Sequence, residues 1–300
     1  MQCGVTITSI CINNPDEDIT FYILTKGLAP KSIEALTNQV NIFKKRIYFH
    51  YIDEKKLEKC YLKEGAANGK ISTYFRFLIP DILKEETKAI YLDSDLIIRK
   101  NLKAFWNTDI SNYAIGVCPG ENNDSIHTFN RLEYDKTKEY FNAGVLLINL
   151  EYWRRNNIFE KLMSYSAKMG PRLDQQDQDV LNFVLQDEKK ILPITYNLQE
   201  RLLLKKQYLK IDWHYFNELE EAIKDPAIIH YTSSFKPWLK ECKHPYKEEW
   251  IKYMKKSLWK DYKPIYKYKS LVLKRFIKSV LSLLKITKAD INEFRTDIKL

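Results

Sequence analysis

Apolar and polar residues along the first two-thirds of the chain change period repeatedly. Phe21-Tyr22-Ile23-Leu24 is a short apolar run that predicts a strand. Pro30 then opens a segment with Ile33, Leu36, Val40 and Phe43 at spacings of three and four, which predicts an amphipathic helix with proline in its first turn. Arg46–Ile52 returns to strand, Ser72–Leu83 reads as helical up to Pro80, and Ala89-Ile90-Tyr91-Leu92 is a short buried strand running straight into Asp93-Ser94-Asp95. Two more strand candidates, Tyr113–Cys118 and Gly144–Asn149, bracket a polar stretch, Pro119–Tyr140, whose length suggests a functional loop. Glu151–Met169 and Asp177–Leu185 read as helices. Such alternation predicts an α/β domain. Val5–Ile12 is ambiguous, because its β-branched residues favour a strand by propensity.

Composition bounds the picture. With 300 residues, 45% hydrophobic and 29% charged, the chain suits one large domain, or one domain with an extension, and not a disordered polymer. Cys3, Cys11, Cys60, Cys118 and Cys242 contain no Cys-x-x-Cys pair, so neither a disulfide framework nor a thiolate zinc site is indicated and a reducing cytoplasm is expected. Met1–Ser9 has no signal-peptide character, and no run approaches the ~18 apolar residues of a spanning helix, so the protein is expected to be soluble, or attached to a membrane only at its surface. The formal charge of +10 is unevenly placed: Lys243–Lys288 holds fourteen Lys/Arg and three acids, leaving 35 basic and 36 acidic residues elsewhere. Residues 1–242 thus read as a near-neutral body and 243–300 as a basic, tyrosine-rich extension. Within it Leu273, Phe276, Ile277, Val280, Leu281 and Leu284 share a helical face, with Lys274, Arg275, Lys278 and Lys285 away from it. That pattern suits an interfacial helix on an anionic membrane, each lysine adding about 1 kcal/mol; the alternative is a helix packed on the body. No nucleic-acid motif accompanies the charge.

Asp93-Ser94-Asp95 sits where open α/β sheets bind ligands, beyond the carboxyl end of a strand, and two carboxylates one residue apart can reach one hard divalent cation. Alone, such a triplet equally caps a helix or faces water. Phe141-Asn142-Ala143-Gly144 could let a sugar approach the backbone, or simply turn into the next strand. The acids of Asp174–Asp179 could serve chemistry or the helix dipole. His230, after Ala227-Ile228-Ile229, could be a third ligand or a structural imidazole, Lys236 could meet a phosphate, and Arg76 would ordinarily make a salt bridge.

In this order, Tyr91-Leu92-Asp93-Ser94-Asp95, Phe141–Leu150 with Trp153 and Arg154, Asp177-Gln178-Asp179, and His230 through Lys236-Pro237-Trp238 resemble the motifs of glycosyltransferase family 8, notably its bacterial lipopolysaccharide galactosyl- and glucosyltransferases. The resemblance spans about residues 1–260 and implies an α/β fold of the GT-A, Rossmann-like kind, with Val5–Ile12 as a helix. It also implies a UDP-glucose or UDP-galactose donor, a lipid-linked or cell-surface glycan acceptor, manganese or magnesium, and transfer with retention. Carried over by position, Asp93, Asp95 and His230 become metal ligands, Lys236 holds the diphosphate with Ser94 and Ser233 nearby, and Arg76, Asn142, Ala143 and Gly144 line the donor sugar. Asp177 and Gln178 stand at the anomeric carbon, and the basic tail resembles a membrane-attachment region that would place the enzyme on the inner face of the cell membrane.

The start departs from the family pattern. Met1-Gln2-Cys3-Gly4-Val5 aligns just after the turn that holds uracil and ribose, so the first, interior strand is expected to be absent, through a start further upstream or a truncated gene. Neighbouring strands would then have unpaired edges, at about 1–3 kcal/mol for each buried group. The alternative function is a non-catalytic nucleotide-sugar or glycan-binding protein; a phosphatase using Asp93 as nucleophile would leave the Asn142 and Asp177 motifs without a role.

Overall fold

The structure is a computed structural model and describes residues 1–62, 71–121, 126–135, 137–205, 215–267 and 294–295. It begins with α1 (Gln2–Asn13), β1 (Thr20–Thr25), α2 (Pro30–Ile42) and β2 (Arg46–Tyr51). A 3-10 stretch, Ile71–Leu78, leads into α3 (Ile79–Ile82), β3 (Lys88–Leu92), β4 (Leu96–Ile98), α4 (Lys103–Trp106), β5 (Ile115–Pro119), α5 (Ile126–Leu132) and β6 (Phe141–Asn149). Then come α6 (Leu150–Arg155), α7 (Ile158–Met169), α8 (Asp177–Val184), β7 (Lys189–Ile191), β8 (Leu198–Gln199), α9 (Phe216–Lys224), β9 (Ile228–His230) and α10 (Lys247–Lys255). Three sheets result, ordered β1-β2, β3-β6-β5-β7 and β4-β9-β8.

β6 explains the core. Phe141, Ala143, Leu146 and Ile148 pack with α7 and α8, whereas Val145 and Leu147 pack on the opposite face with α1, α2 and β4. A strand buried on both faces needs a continuous apolar run, which Val145–Ile148 supplies.

The expected elements are present with four differences. α1 is a helix despite its β-branched residues, because its hydroxyls and amide serve an otherwise open strand edge. Thr6 Oγ1 donates to Leu96 O at 2.8 Å, Ser9 Oγ accepts from Ile98 N at 2.9 Å, and Asn13 Nδ2 donates to Ile98 O at 2.9 Å. Tertiary bonds of this kind override propensity. Ile71–Leu78 winds as 3-10, and Pro80 falls in the first turn of the separate helix α3, where its missing N–H costs nothing. Glu151–Met169 is two helices, broken where Asn157 takes a left-handed φ of 52° that asparagine tolerates. The stretch Pro119–Tyr140 carries α5, whose Phe129 and Leu132 enter the core.

β1 and β2 pair in parallel, and β3 pairs with β6; among the described residues neither β1 nor β3 has a strand on its other side. Those free edges line one cavity of about 1080 Å³ together with Thr6, Ile7 and Ile10 of α1.

The basic extension begins on the body: Tyr246, Trp250, Tyr253 and Met254 are buried with Val5 of α1 and Leu219 of α9. The amphipathic run Leu273–Leu284 lies outside the described residues. Among the described residues no helix is long and apolar enough to cross a membrane. All five cysteines are free, and burial pushes the thiols of Cys11 and Cys60 up to about 12, in keeping with inert side chains.

Candidate active site

Eleven of the twelve residues singled out from the sequence line one cleft of about 510 Å³; Ser94, the twelfth, is exposed and lines the cavity beside β3. The chain leaves β3 at Asp93 and enters β4 at Leu96, and the backbone of that turn is pinned on both sides. Asp93 N donates to Gly144 O at 2.9 Å, and Tyr231 N donates to Asp95 O at 3.0 Å. His230 ends β9 opposite Leu96, so its Nε2 falls 3.2 Å from Asp95 Oδ1 and 3.8 Å from Asp93 Oδ2. One ligand atom from each of the three lies within 4.8 Å of the others. Gly144 is required at this point: a Cβ there would stand 2.8 Å from Asp93 Oδ2 and strike His230 Cε1.

Cationic side chains surround the carboxylates. Lys236 Nζ donates to Asp95 Oδ2 at 2.6 Å and also to Tyr231 O. Although burial opposes it, His230 and Lys236 hold the Asp95 carboxyl well below the usual carboxylate range. Arg76 is buried and turns its donors inward: Nη2 to Asp93 Oδ1 at 3.1 Å, Nη1 to Ala143 O, and Nε towards Thr73 O at 3.0 Å and Asp177 Oδ2 at 3.2 Å. Its guanidinium carbon lies 4.3 Å from the Tyr91 ring centroid, and the Tyr91 hydroxyl donates to Asp93 Oδ1 at 2.7 Å. Arg76, expected to line a sugar, thus lines the cleft and also ties Asp93 to Asp177. Asp177 opens α8 and is buried, and burial raises its carboxyl to about 6 because Arg76, shared with Asp93, offsets only part of the cost.

Gln178 and Asn142 meet directly: Gln178 Oε1 accepts from Asn142 Nδ2 and from Ala143 N, each at 3.1 Å. Ser233 Oγ accepts from Phe235 N at 3.2 Å and thereby shapes the turn that carries Lys236.

Several buried polar residues in and around the cleft were not singled out from the sequence. Asn197 and Gln199 flank Leu198, and Gln199 Oε1 accepts from Glu121 N at 2.9 Å while its Nε2 donates to Pro119 O at 2.9 Å. Glu121, its pKa raised by burial, accepts from Thr232 Oγ1 at 3.1 Å. The only signal in the sequence was two amides beside an apolar residue, which reads as an ordinary turn until burial is known. The cleft as a whole presents carboxylates and an imidazole disposed to hold a divalent cation, with a lysine beside them able to meet an anion.

The sequence profile described as Glycosyl transferase family 8 matches residues 1–242. General stress protein A of Bacillus subtilis (strain 168) is 27% identical over 266 residues, covering 85% of this chain and 89% of that protein. Lipopolysaccharide 1,3-galactosyltransferase of Salmonella typhimurium is 26% identical over 271 residues, covering 86% of this chain and 75% of that protein. Among solved structures, galactosyltransferase LgtC in complex with donor and acceptor sugar analogs superposes with a TM-score of 0.77 at 22% identity, covering 86% of this chain and 92% of that one. Mouse xyloside xylosyltransferase 1 superposes with a TM-score of 0.54 at 18% identity, over 77% of this chain and 91% of that one. The fold is thus of the GT-A kind. With the profile covering the whole body and the ordered motifs gathered in one cleft, the chain belongs to Glycosyl transferase family 8.

Proposed function

We propose that the cleft transfers glucose or galactose from a UDP-sugar to a lipopolysaccharide or other lipid-linked, cell-surface glycan, with retention at the anomeric carbon. The observation that carries this reading is the convergence of Asp93, Asp95 and His230 beside Lys236 in a chain of this family. The three side chains fit a divalent cation, manganese ahead of magnesium because imidazole joins two carboxylates, and Gly144 keeps a Cβ out of the space they share. When bound, the ion supplies charge neutralisation for the departing diphosphate. Lys236 adds a point charge for the same phosphates, Asp177 and Gln178 flank the donor sugar, and the backbone of Asn142, Ala143 and Gly144 forms its floor. Arg76 keeps Asp93 and Asp177 in place, so the carboxylates are preorganised. Work at the inner face of the membrane follows from the tail, whose lysines suit anionic lipid.

The test is a donor screen. UDP release from UDP-glucose or UDP-galactose with manganese, lost in Asp95→Ala, supports the transferase; tight donor binding without turnover supports the non-catalytic binding protein instead. Protein unfolding that no UDP-sugar shifts overturns both. Deleting residues 268–300 is expected to abolish binding to anionic vesicles while sparing donor hydrolysis, and unchanged vesicle binding refutes the anchor.

A further inference from the structure

Asn197 closes the 3-10 turn Ile194–Asn197 and is fully buried, and its amide completes a run of hydrogen bonds that crosses the floor of the cleft. The direction of every bond in that run follows from two backbone N–H groups, which can only donate. Ala143 N donates to Gln178 Oε1 at 3.1 Å, and Gly144 N donates to Asn142 Oδ1 at 2.9 Å. Both amides are thereby oriented. Gln178 Nε2 donates to the Tyr140 hydroxyl at 3.2 Å, and that hydroxyl gives its own proton to Asp179 Oδ1 at 2.7 Å. Asp179 is held in turn by Arg131 Nη1 and Nη2 at 2.8 and 3.1 Å and by Gln175 N at 2.8 Å.

In the other direction, Asn142 Oδ1 accepts a second bond from Asn197 Nδ2 at 3.0 Å, which leaves Asn197 Oδ1 facing His230 Nδ1 at 3.0 Å. An amide oxygen only accepts, so Nδ1 carries the hydrogen. Once Nε2 gives up the proton it shares with Asp95, as binding of a cation requires, the hydrogen kept on Nδ1 leaves the lone pair on Nε2, the nitrogen turned towards Asp95 and Asp93. Metal-binding imidazoles are commonly held this way by a partner on the far nitrogen.

We infer that Asn142 and Asn197 are positioning residues: anchored by the Gly144 N–H, they fix the tautomer and ring orientation of His230 so that Nε2 is preset towards the carboxylate pair. The inference deepens the proposed function and rests on it for the cation. It assigns the Asn142 side chain to the interior network and leaves its backbone to face the donor.

Two readouts on the full chain test it. The first needs no metal: two-bond nitrogen–proton spectra at a pH well above the imidazole range, with His230→Gln to assign the signals. Wild type is expected to show the Nδ1–H tautomer at His230, and Asn197→Leu to lose that preference. An Nε2–H tautomer in wild type overturns the inference. The second is a titration with manganese followed by the resonance of the free ion. Asn197→Leu, with no acceptor, is expected to weaken binding about 10- to 100-fold, and Asn197→Asp, which keeps an oxygen opposite Nδ1, to retain most of it. Equal affinity in wild type and Asn197→Leu overturns the inference. If the leucine variant does not fold, the wild-type tautomer and the aspartate variant still decide. Failure of the function itself looks different, because wild type would then bind no manganese while the tautomer result still supports the role of Asn197.

Discussion

Replacing Asp177 by asparagine removes a carboxylate that the folded protein ionises at a cost. Its carboxyl rises from 3.8 to about 6, burial being the largest cause and the nearby Asp93 charge adding to it, while Arg76 Nε at 3.2 Å opposes the rise. At roughly 1.4 kcal/mol per unit, this shift corresponds to about 3 kcal/mol. Because the folded-state value is the higher one, the native protein binds more protons than the unfolded chain between about pH 4 and pH 6, so this group lowers stability as pH rises through that window. Above about pH 6 the full penalty is present, and below about pH 4 both states are protonated and it disappears. Asp177→Asn is therefore expected to be more stable than wild type by up to about 3 kcal/mol near pH 8, with the difference closing near pH 4. Loss of the Arg76 contact trims the gain only in part, since Arg76 keeps Asp93, Thr73 O and Ala143 O. Urea unfolding followed by tryptophan fluorescence, with metal chelated, gives both numbers. A gap that does not change between the two pH values, or an asparagine variant less stable at the higher one, refutes the reasoning.

Two further substitutions read other parts of the structure. Gly144→Ala places a methyl group against His230 and 2.8 Å from Asp93 Oδ2; manganese binding is expected to fall at least tenfold, by about 1.4 kcal/mol or more, and wild-type affinity would refute the role given to this glycine. Arg154 donates to the carbonyls of Pro80 and Leu83 at 3.1 Å and of Glu86 at 2.8 Å, tying α6 to the turn before β3. Arg154→Met leaves those groups without their charged donor and is expected to lower stability by roughly 2–3 kcal/mol in denaturant unfolding, with no loss meaning that water replaces the arginine.

The strands were legible where a single face or a continuous run decided the pattern, as in β1, β3 and β6. Elements set by tertiary bonds were not. α1 is rich in residues that favour strands, and its helical state follows from Thr6, Ser9 and Asn13 reaching the backbone of β4. The break between α6 and α7 depends on one backbone angle at Asn157. The site was legible to the extent that its residues sit in motifs at strand ends, since β3, β6 and β9 deliver Asp93, Gly144 and His230 to one place. Arg76 was assigned to the cleft that it lines, but its contacts to Asp93 and Asp177 could be read only from its burial and partners. Asn197 carries no local signature, because a buried amide and an exposed one are written with the same letter.

The open edges of β1 and β3 also bear on how the molecule comes apart. A two-stranded ribbon is marginal by itself, and β1 and β2 are held to the rest of the chain by side-chain packing of α1 and α2 rather than by a hydrogen-bonded seam to β3. The segment Thr20–Tyr51 is therefore expected to open more readily than β6 and its neighbours. Amide exchange should be faster in β1 than in β6, and opening of this segment would widen the cavity whose wall includes the turn that carries Asp93 and Asp95.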